Sequence, residues 1–232
     1  MIKGILLDSG RVLNHSASGH WFITPNFFDH VNQKTFESLS KKQIRDAFIQ
    51  GLMYIDKQKV ILDKDTEYKH FIRCYEIFLD ALPVLKDRDN QAEDLARELV
   101  YNPEKYVFYK DARPFLEANK SYKMAVVSDA WPSLRDVFMH ADYTKYFDSM
   151  VISSEIGVCK PSSMMYQQAL TDLNLKPDEV IFVDDRPKNC LGAEKLGIKS
   201  YLLSRHWSNY LVHKFKYRQL TVINSLIKIT NL

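Results

Sequence analysis

Ile5-Leu6-Leu7-Asp8-Ser9-Gly10-Arg11-Val12-Leu13 is an apolar run that breaks off at an acid and a small-residue turn. Two further runs end the same way, Ala125-Val126-Val127-Ser128-Asp129 and Ile181-Phe182-Val183-Asp184-Asp185, and Lys160-Pro161 lies between them. The apolar runs read as buried parallel strands that stop at polar or acidic residues. In an open α/β sheet, ligands bind at the carboxyl ends of the strands, so these polar ends converge on one crevice. An Asp able to act as nucleophile, a Ser, a Lys and an acidic pair would meet there. Those are the parts needed to transfer a phosphoryl group.

Outward from these runs, strand and helix patterns alternate from Asp111 onward. A helix is predicted from about Arg113, a strand from Lys123 to Val127, a helix after Pro132 and a strand from Ser149 to Ile152. A helix from Ser163 to Leu173 and a strand from Val180 to Val183 follow. This alternation predicts βαβ units and a parallel sheet. Lys188 to Leu196 reads as a helix closed by Gly197, Ser200 to Leu203 as a further strand, and Gln219 to Ile229 as a terminal helix.

Between Leu13 and about Lys110 the periodicity is helical instead. Ser40-Lys41-Lys42-Gln43 has the capping-box spacing, with Ile44, Ala47, Phe48 and Leu52 following at helical intervals. Tyr68, Phe71, Ile72, Tyr75 and Leu79 form a second stripe, and Ala92, Leu95, Ala96 and Leu99 a third that ends at Asn102-Pro103. These stripes read as the core of an inserted helical domain.

Composition narrows the function classes. With 232 residues, 46% of them apolar, the chain can bury a full core. The net charge of +3 comes from 32 basic and 29 acidic residues, with no long basic block, so no nucleic-acid partner is expected. The three cysteines show no Cys-x-x-Cys spacing, which fits a reducing cytoplasm with neither zinc site nor disulfide framework. No segment approaches the roughly 18 apolar residues of a membrane span or reads as a secretory signal, so no membrane partner is expected.

The order and spacing of Asp8, Ser128, Lys160 and Asp184-Asp185, with Val-Ile-Ser-Ser-Glu-Ile-Gly-Val-Cys-Lys-Pro at 151–161 between the second and fourth, resemble the haloacid dehalogenase-like (HAD) hydrolase superfamily. Most of its members are Mg²⁺-dependent phosphatases. The resemblance covers Met1 to about Leu13 and about Asp111 to Ser204. It implies an α/β fold: a Rossmann-like parallel-sheet core of residues 1–14 and 108–232, and an α-helical cap of residues 15–107 inserted after the first strand.

The resemblance also implies roles. Asp8 matches the nucleophile, whose attack on phosphorus gives an aspartyl-phosphate. Ser128, with Asp129 beside it, and Lys160 match the groups on the substrate phosphate. Mg²⁺ would be held by Asp8, by the backbone carbonyl of Gly10 and by Asp185, with Asp184 nearby or acting through water. Asn189 matches a position that supports the acidic loop. Gly10 is a departure: many HAD phosphatases carry there a second Asp that protonates the leaving oxygen and then activates water. His15 and His20 are the nearest titratable residues downstream.

The implied reading is therefore a Mg²⁺-dependent phosphatase acting on a small phosphorylated metabolite. Two alternatives stay open. One is a metal-free haloacid dehalogenase, which also lacks the second Asp, although an uncompensated Asp184-Asp185 pair opposes it. The other is a protein that binds a phosphorylated ligand or a partner without turnover. No pattern in residues 14–26, where Trp21 and Phe22 lie, specifies a substrate, and none specifies an oligomeric state.

Overall fold

The computed structural model describes residues 1–229. Its strands are β1 (Gly4–Leu7), β2 (Asn14–Ser16), β3 (Tyr106–Phe108), β4 (Lys123–Ser128), β5 (Ser149–Ile152), β6 (Val180–Asp184), β7 (Lys199–Leu203) and β8 (Thr221–Ile223). Its helices are α1 (Gln33–Ser38), α2 (Lys41–Ile55), α3 (Lys64–Ala81), α4 (Gln91–Tyr101), α5 (Ala112–Ala118), α6 (Leu134–His140), α7 (Ser153–Ile156), α8 (Ser163–Leu173), α9 (Pro187–Glu194) and α10 (Trp207–Lys216). The class is α/β with a helical insertion, α1 to α4, after β1, as the sequence predicts. The chain forms two compact units: Met1–His15, Val107–Ala130 and Phe138–Leu232 make one, and Ser16–Tyr106 with Trp131–Val137 make the other.

The first unit is built on a parallel sheet in the order β5-β4-β1-β6-β7-β8. The chain runs outward from β1 through β4 to β5, then crosses to the other side of β1 for β6, β7 and β8. The order therefore reverses at β1, the position where open α/β sheets bind ligands. Register fixes what meets there. Leu7 lies level with Val126 and Val183, so Asp8 emerges beside Val127 and Asp184, and its N–H still donates to the Val183 carbonyl at 2.9 Å.

Both faces of the central strands are covered, which is why their sequences are continuous apolar runs. On one face Leu6, Ala125, Val127, Val151 and Phe182 pack with Met165, Tyr166, Ala169 and Leu173 of α8 and Ala193 of α9. Gly197, with φ of +85°, ends the α9 segment, and its left-handed turn lets the Ile198 N–H return to the Ala193 carbonyl.

The C-terminal reading needs a correction. Residues 219–229 form β8 and a 3-10 turn at Leu226–Lys228, not a helix. Thr221-Val222-Ile223 is β-branched throughout and pairs with Tyr201-Leu202-Leu203 at an otherwise open sheet edge, and that ladder outweighs the helical spacing of the apolar residues. Helix α10, between β7 and β8, has no counterpart among the elements predicted from sequence.

The second unit is helical. The capping box at Ser40 forms: its hydroxyl accepts from the Gln43 N–H at 3.2 Å, and the Gln43 side chain accepts from the Ser40 N–H at 3.0 Å. Helices α2 and α3 approach closely at Gly51, where a β-carbon would lie 2.7 Å from the Cys74 carbonyl oxygen. Phe48, Phe71, Tyr75, Phe78, Leu95 and Leu99 fill the core. The Phe48 and Phe78 rings stack at 4.3 Å, and Trp131 sits edge-on to Phe71 at 5.0 Å.

A buried polar network ties residues 131–137 into this unit. Ser133 donates from its N–H (2.8 Å) and its hydroxyl (2.5 Å) to the Glu67 carboxylate, and accepts from Lys105 Nζ at 2.7 Å. Lys105 also donates to the Leu99 carbonyl. Burial pushes the Glu67 carboxyl up and the Lys105 ammonium down to about 8, while Lys105 and the two Ser133 hydrogen bonds act against the Glu67 shift. Replacing Glu67 by Ala would leave Lys105 buried without its carboxylate. We expect Glu67→Ala to lower unfolding stability by about 3 kcal/mol, measured by urea denaturation.

Candidate active site

The loop after β1 makes the first part of the site. Ser9 caps the turn with its carbonyl, which accepts from Leu13 N–H (2.8 Å) and Asn14 N–H (3.0 Å), and its hydroxyl accepts from the Asn14 side chain at 2.8 Å. Arg11 takes a left-handed conformation, φ +62°, which is costly for a residue with a β-carbon. Arg205, just past β7, secures that turn. It donates to the carbonyls of Arg11 (3.1 Å) and Val12 (2.6 Å), and its guanidinium lies 3.7 Å over the Tyr109 ring.

Asp111 in turn holds Arg205, accepting from its Nη1 at 3.1 Å, and also accepts from the Ser225 hydroxyl (2.7 Å) and the Leu226 N–H (3.0 Å). The sequence reading missed both residues as parts of the site's support. Nothing in their local sequence marks them, because they come from loops 94 positions apart.

The centre of the site is one ammonium. Lys160 Nζ donates to Asp8 Oδ1 (2.7 Å), Asp184 Oδ2 (2.7 Å) and the Val127 carbonyl (2.8 Å). These partners use all three of its protons. Its side chain is only 1% exposed, a burial tolerable only with such compensation. The Lys160 N–H donates to Asp129 Oδ1 at 2.8 Å, so the backbone of this loop is tied to the end of β4. On the other side Pro161 packs against Gly192 of α9, where a β-carbon would lie 2.5 Å from Pro161 Cβ.

Asp184 is fully engaged by protein donors. Besides Lys160, it accepts from the Arg186 N–H at 2.7 Å and from Asn189 Nδ2 at 3.0 and 3.1 Å. Asp185 is more open, 17% exposed, with Arg11 at 3.6 Å. Ser128 is buried at the last position of β4, and half-buried Gly10 lies in the turn, bridged to Asn14. Asp8, Ser128, Asp129, Lys160, Asp184, Asp185 and Asn189 thus all lie around the carboxyl ends of the central strands β4, β1 and β6. His15 lies tilted against the Tyr109 ring at 4.9 Å, whereas His20 belongs to the helical unit, against the Phe48 ring at 4.8 Å.

Negative charge exceeds positive charge here. Burial raises the Asp8 carboxyl well above its ordinary range; Lys160 opposes that shift, and Asp184 and Asp185 add to it. Asp185 is pushed up to about 6 by burial and then by Asp184. Burial works against the Lys160 charge, yet Asp184, Asp8 and Asp129 outweigh it and raise its pKa. Oxygens of Asp8, Asp184 and Asp185 lie within 4.8 Å of one another. A hard divalent cation suits such an oxygen set and would relieve the surplus charge.

Two consequences can be measured. Lys160→Met leaves Asp8 and Asp184 facing each other without their counter-charge, and should cost about 3–5 kcal/mol in urea unfolding. For Asp111, burial favours the neutral acid, but Arg205, Ser225 and the Leu226 N–H together hold the carboxyl below its ordinary value. A depressed carboxylate stabilises the fold fully above its unfolded pKa, about 3.9, and loses that contribution as pH falls through the folded value. Asp111→Asn should therefore cost about 2 kcal/mol at pH 7, and the gap to the native chain should narrow as pH falls below the unfolded value and through the lower folded one.

Among characterised proteins, the chain is 28% identical over 133 residues to a phosphoserine phosphatase of Thermus thermophilus, covering 56% of this chain and 53% of that one. The chain thus spans about half of that relative's length. It is 29% identical over 218 residues to a glyceraldehyde 3-phosphate phosphatase of Methanopyrus kandleri, covering 88% and 85%. Two solved structures share the fold at 18% identity. The L-2-haloacid dehalogenase of Xanthobacter autotrophicus has a TM-score of 0.63, with 97% of this chain and 96% of that one covered. The HAD family enzyme bt-2542 of Bacteroides thetaiotaomicron, solved with magnesium and inorganic phosphate, has a TM-score of 0.60, with 90% and 98% covered. The profile of the family described as haloacid dehalogenase-like hydrolase matches residues 4–203, from β1 to the end of β7, and the chain belongs to that family.

Proposed function

We propose that the chain is a divalent-metal-dependent phosphatase that acts on a small phosphorylated metabolite through Asp8. The observation that carries this reading is the excess of carboxylates around Lys160 at the sheet's switch point. That excess suits a site built to be completed by a cation and a phosphate. Asp8, the Gly10 carbonyl and Asp185 would hold Mg²⁺, which would neutralise charge on the phosphate oxygens when bound. Asp184 is occupied by Lys160, Arg186 and Asn189, so its part is to fix the lysine and the acidic loop.

In this reading Asp8 Oδ1 is held by Lys160 and its other oxygen attacks phosphorus, giving an aspartyl-phosphate and expelling the leaving oxygen as an alkoxide that takes its proton from water. Water then cleaves the acyl-phosphate, returning Asp8 and inorganic phosphate. Lys160 opposes the rise that burial imposes on the Asp8 carboxyl and would offset charge on the transferring group. Ser128, at the end of β4, would bind a phosphate oxygen. Gly10 cannot protonate the leaving oxygen, so substrates with good leaving groups should turn over fastest.

The fully hydrogen-bonded Asp184 and the absent acid at Gly10 also favour a second reading, a metal-free dehalogenase in which Asp8 attacks carbon. Gly10 equally suits a chain that binds a phosphorylated ligand without turnover. Release of inorganic phosphate from a panel of phosphate esters separates the three. We expect turnover that disappears with chelator, returns with Mg²⁺ and falls at least about 10³-fold in Asp8→Asn. Halide release indifferent to chelator would establish the dehalogenase instead, and ligand binding with no phosphate release the binding protein.

A further inference from the structure

Helix α10 follows the family-matched stretch, which ends at residue 203, and none of its residues is buried. At about 100° per residue, Tyr210 and His213 share the half-buried side, and His213 pairs with the Ser204 hydroxyl at 2.6 Å. The opposite arc, about 140° wide by the same spacing, carries Trp207, Leu211, Val212 and Phe215. These are 70%, 55%, 59% and 74% exposed, the reverse of how such residues normally face in a helix packed on a core. Ser208, the polar residue inside the arc, is satisfied by His206 at 2.7 Å.

Charge singles out the occupant. Lys214 and Lys216 border the apolar arc on its two sides, and Arg218 follows, stacked over Phe215 at 5.1 Å. From residue 195 to the end the chain has no Asp or Glu, so its basic residues are concentrated here rather than mixed. A second copy would bring like charges together, and four apolar side chains fall short of the roughly 800 Å² per partner of a stable interface. An outward apolar ridge with an aromatic residue at each end and lysines along both borders has the composition of a helix lying in a lipid interface. There the rings enter the acyl boundary and the lysines reach back to the headgroups.

We infer that α10 docks the protein reversibly on a membrane surface rich in anionic lipid. The lack of a long apolar run excludes a span, and no helix among the described residues is long and apolar enough to cross a membrane. Contact in the interface plane needs neither. The attraction rests on lipid charge and on insertion together, each basic side chain contributing roughly fivefold in affinity.

The test is co-sedimentation of the full chain with vesicles of phosphatidylcholine alone and of phosphatidylcholine with about 30% phosphatidylserine. Two variants on the exposed face are compared, Leu211→Glu/Phe215→Glu and Lys214→Glu/Lys216→Glu, with melting temperature confirming that both remain folded. Binding to the anionic vesicles, weakened at high salt and reduced at least about tenfold by each variant, supports the inference. Three results overturn it: no binding to the anionic vesicles, binding indifferent to both variants, or a concentration-dependent dimer abolished by Leu211→Glu/Phe215→Glu. Equal binding to soluble poly-glutamate that ignores Leu211 and Phe215 would assign the patch to an acidic protein partner and would also overturn it.

Discussion

Everything at the site depends on one buried ammonium. Lys160 is shielded from water and tolerable there only because Asp8, Asp184 and the Val127 carbonyl accept its three protons. The dependence is mutual. Without Lys160, two carboxylates at the ends of adjacent strands would face each other across a few ångströms of low-dielectric interior. The sheet supplies this geometry through register: with Leu7 level with Val126 and Val183, the acid after β1 emerges beside the acid that ends β6.

Around that centre, the supports are arranged in shells of hydrogen bonds. Asn189 and the Arg186 N–H fix Asp184, so Lys160 meets an acceptor that does not rotate away. Asp129 fixes the backbone of the lysine's own loop. Arg205 and Asp111 reach from the far side to hold the strained turn at Arg11, three residues after Asp8. The proposed attack by Asp8 would need a fixed direction, and these contacts fix the segment that carries Asp8.

The helical unit solves a different problem by similar means. Trp131–Val137 is retained there by aromatic packing and by the buried Glu67–Ser133–Lys105 network, and Lys64 pairs with Asp136. Buried polar groups that satisfy one another's hydrogen bonds specify a single docking of the segment, where apolar contacts alone would permit sliding. Helix α10 does the opposite, turning its apolar side outward where the chain has no acid to balance its lysines.

By itself the sequence determined the central strands β1, β4 and β6 and what stands at their ends. Apolar runs long enough to be buried on both faces, stopping at Asp8, Ser128 and Asp184, are a local signal, and so is the Ser40 capping box. The Gly197 stop was legible for the same reason, since a left-handed residue needs no distant partner. Residues 221–223 were misread because a short strand at a sheet edge is decided by the neighbour it pairs with, here β7. Arg205 and Asp111 were invisible because their meaning lies in whom they touch, and the chain joins them only through the fold. Only the tertiary structure decided that Lys160 would be shared between two acids, and that α10 would face its apolar side away from the core. Hydrogen bonding and burial are properties of proximity, and proximity across a parallel sheet is set by register and crossover rather than by spacing in the chain.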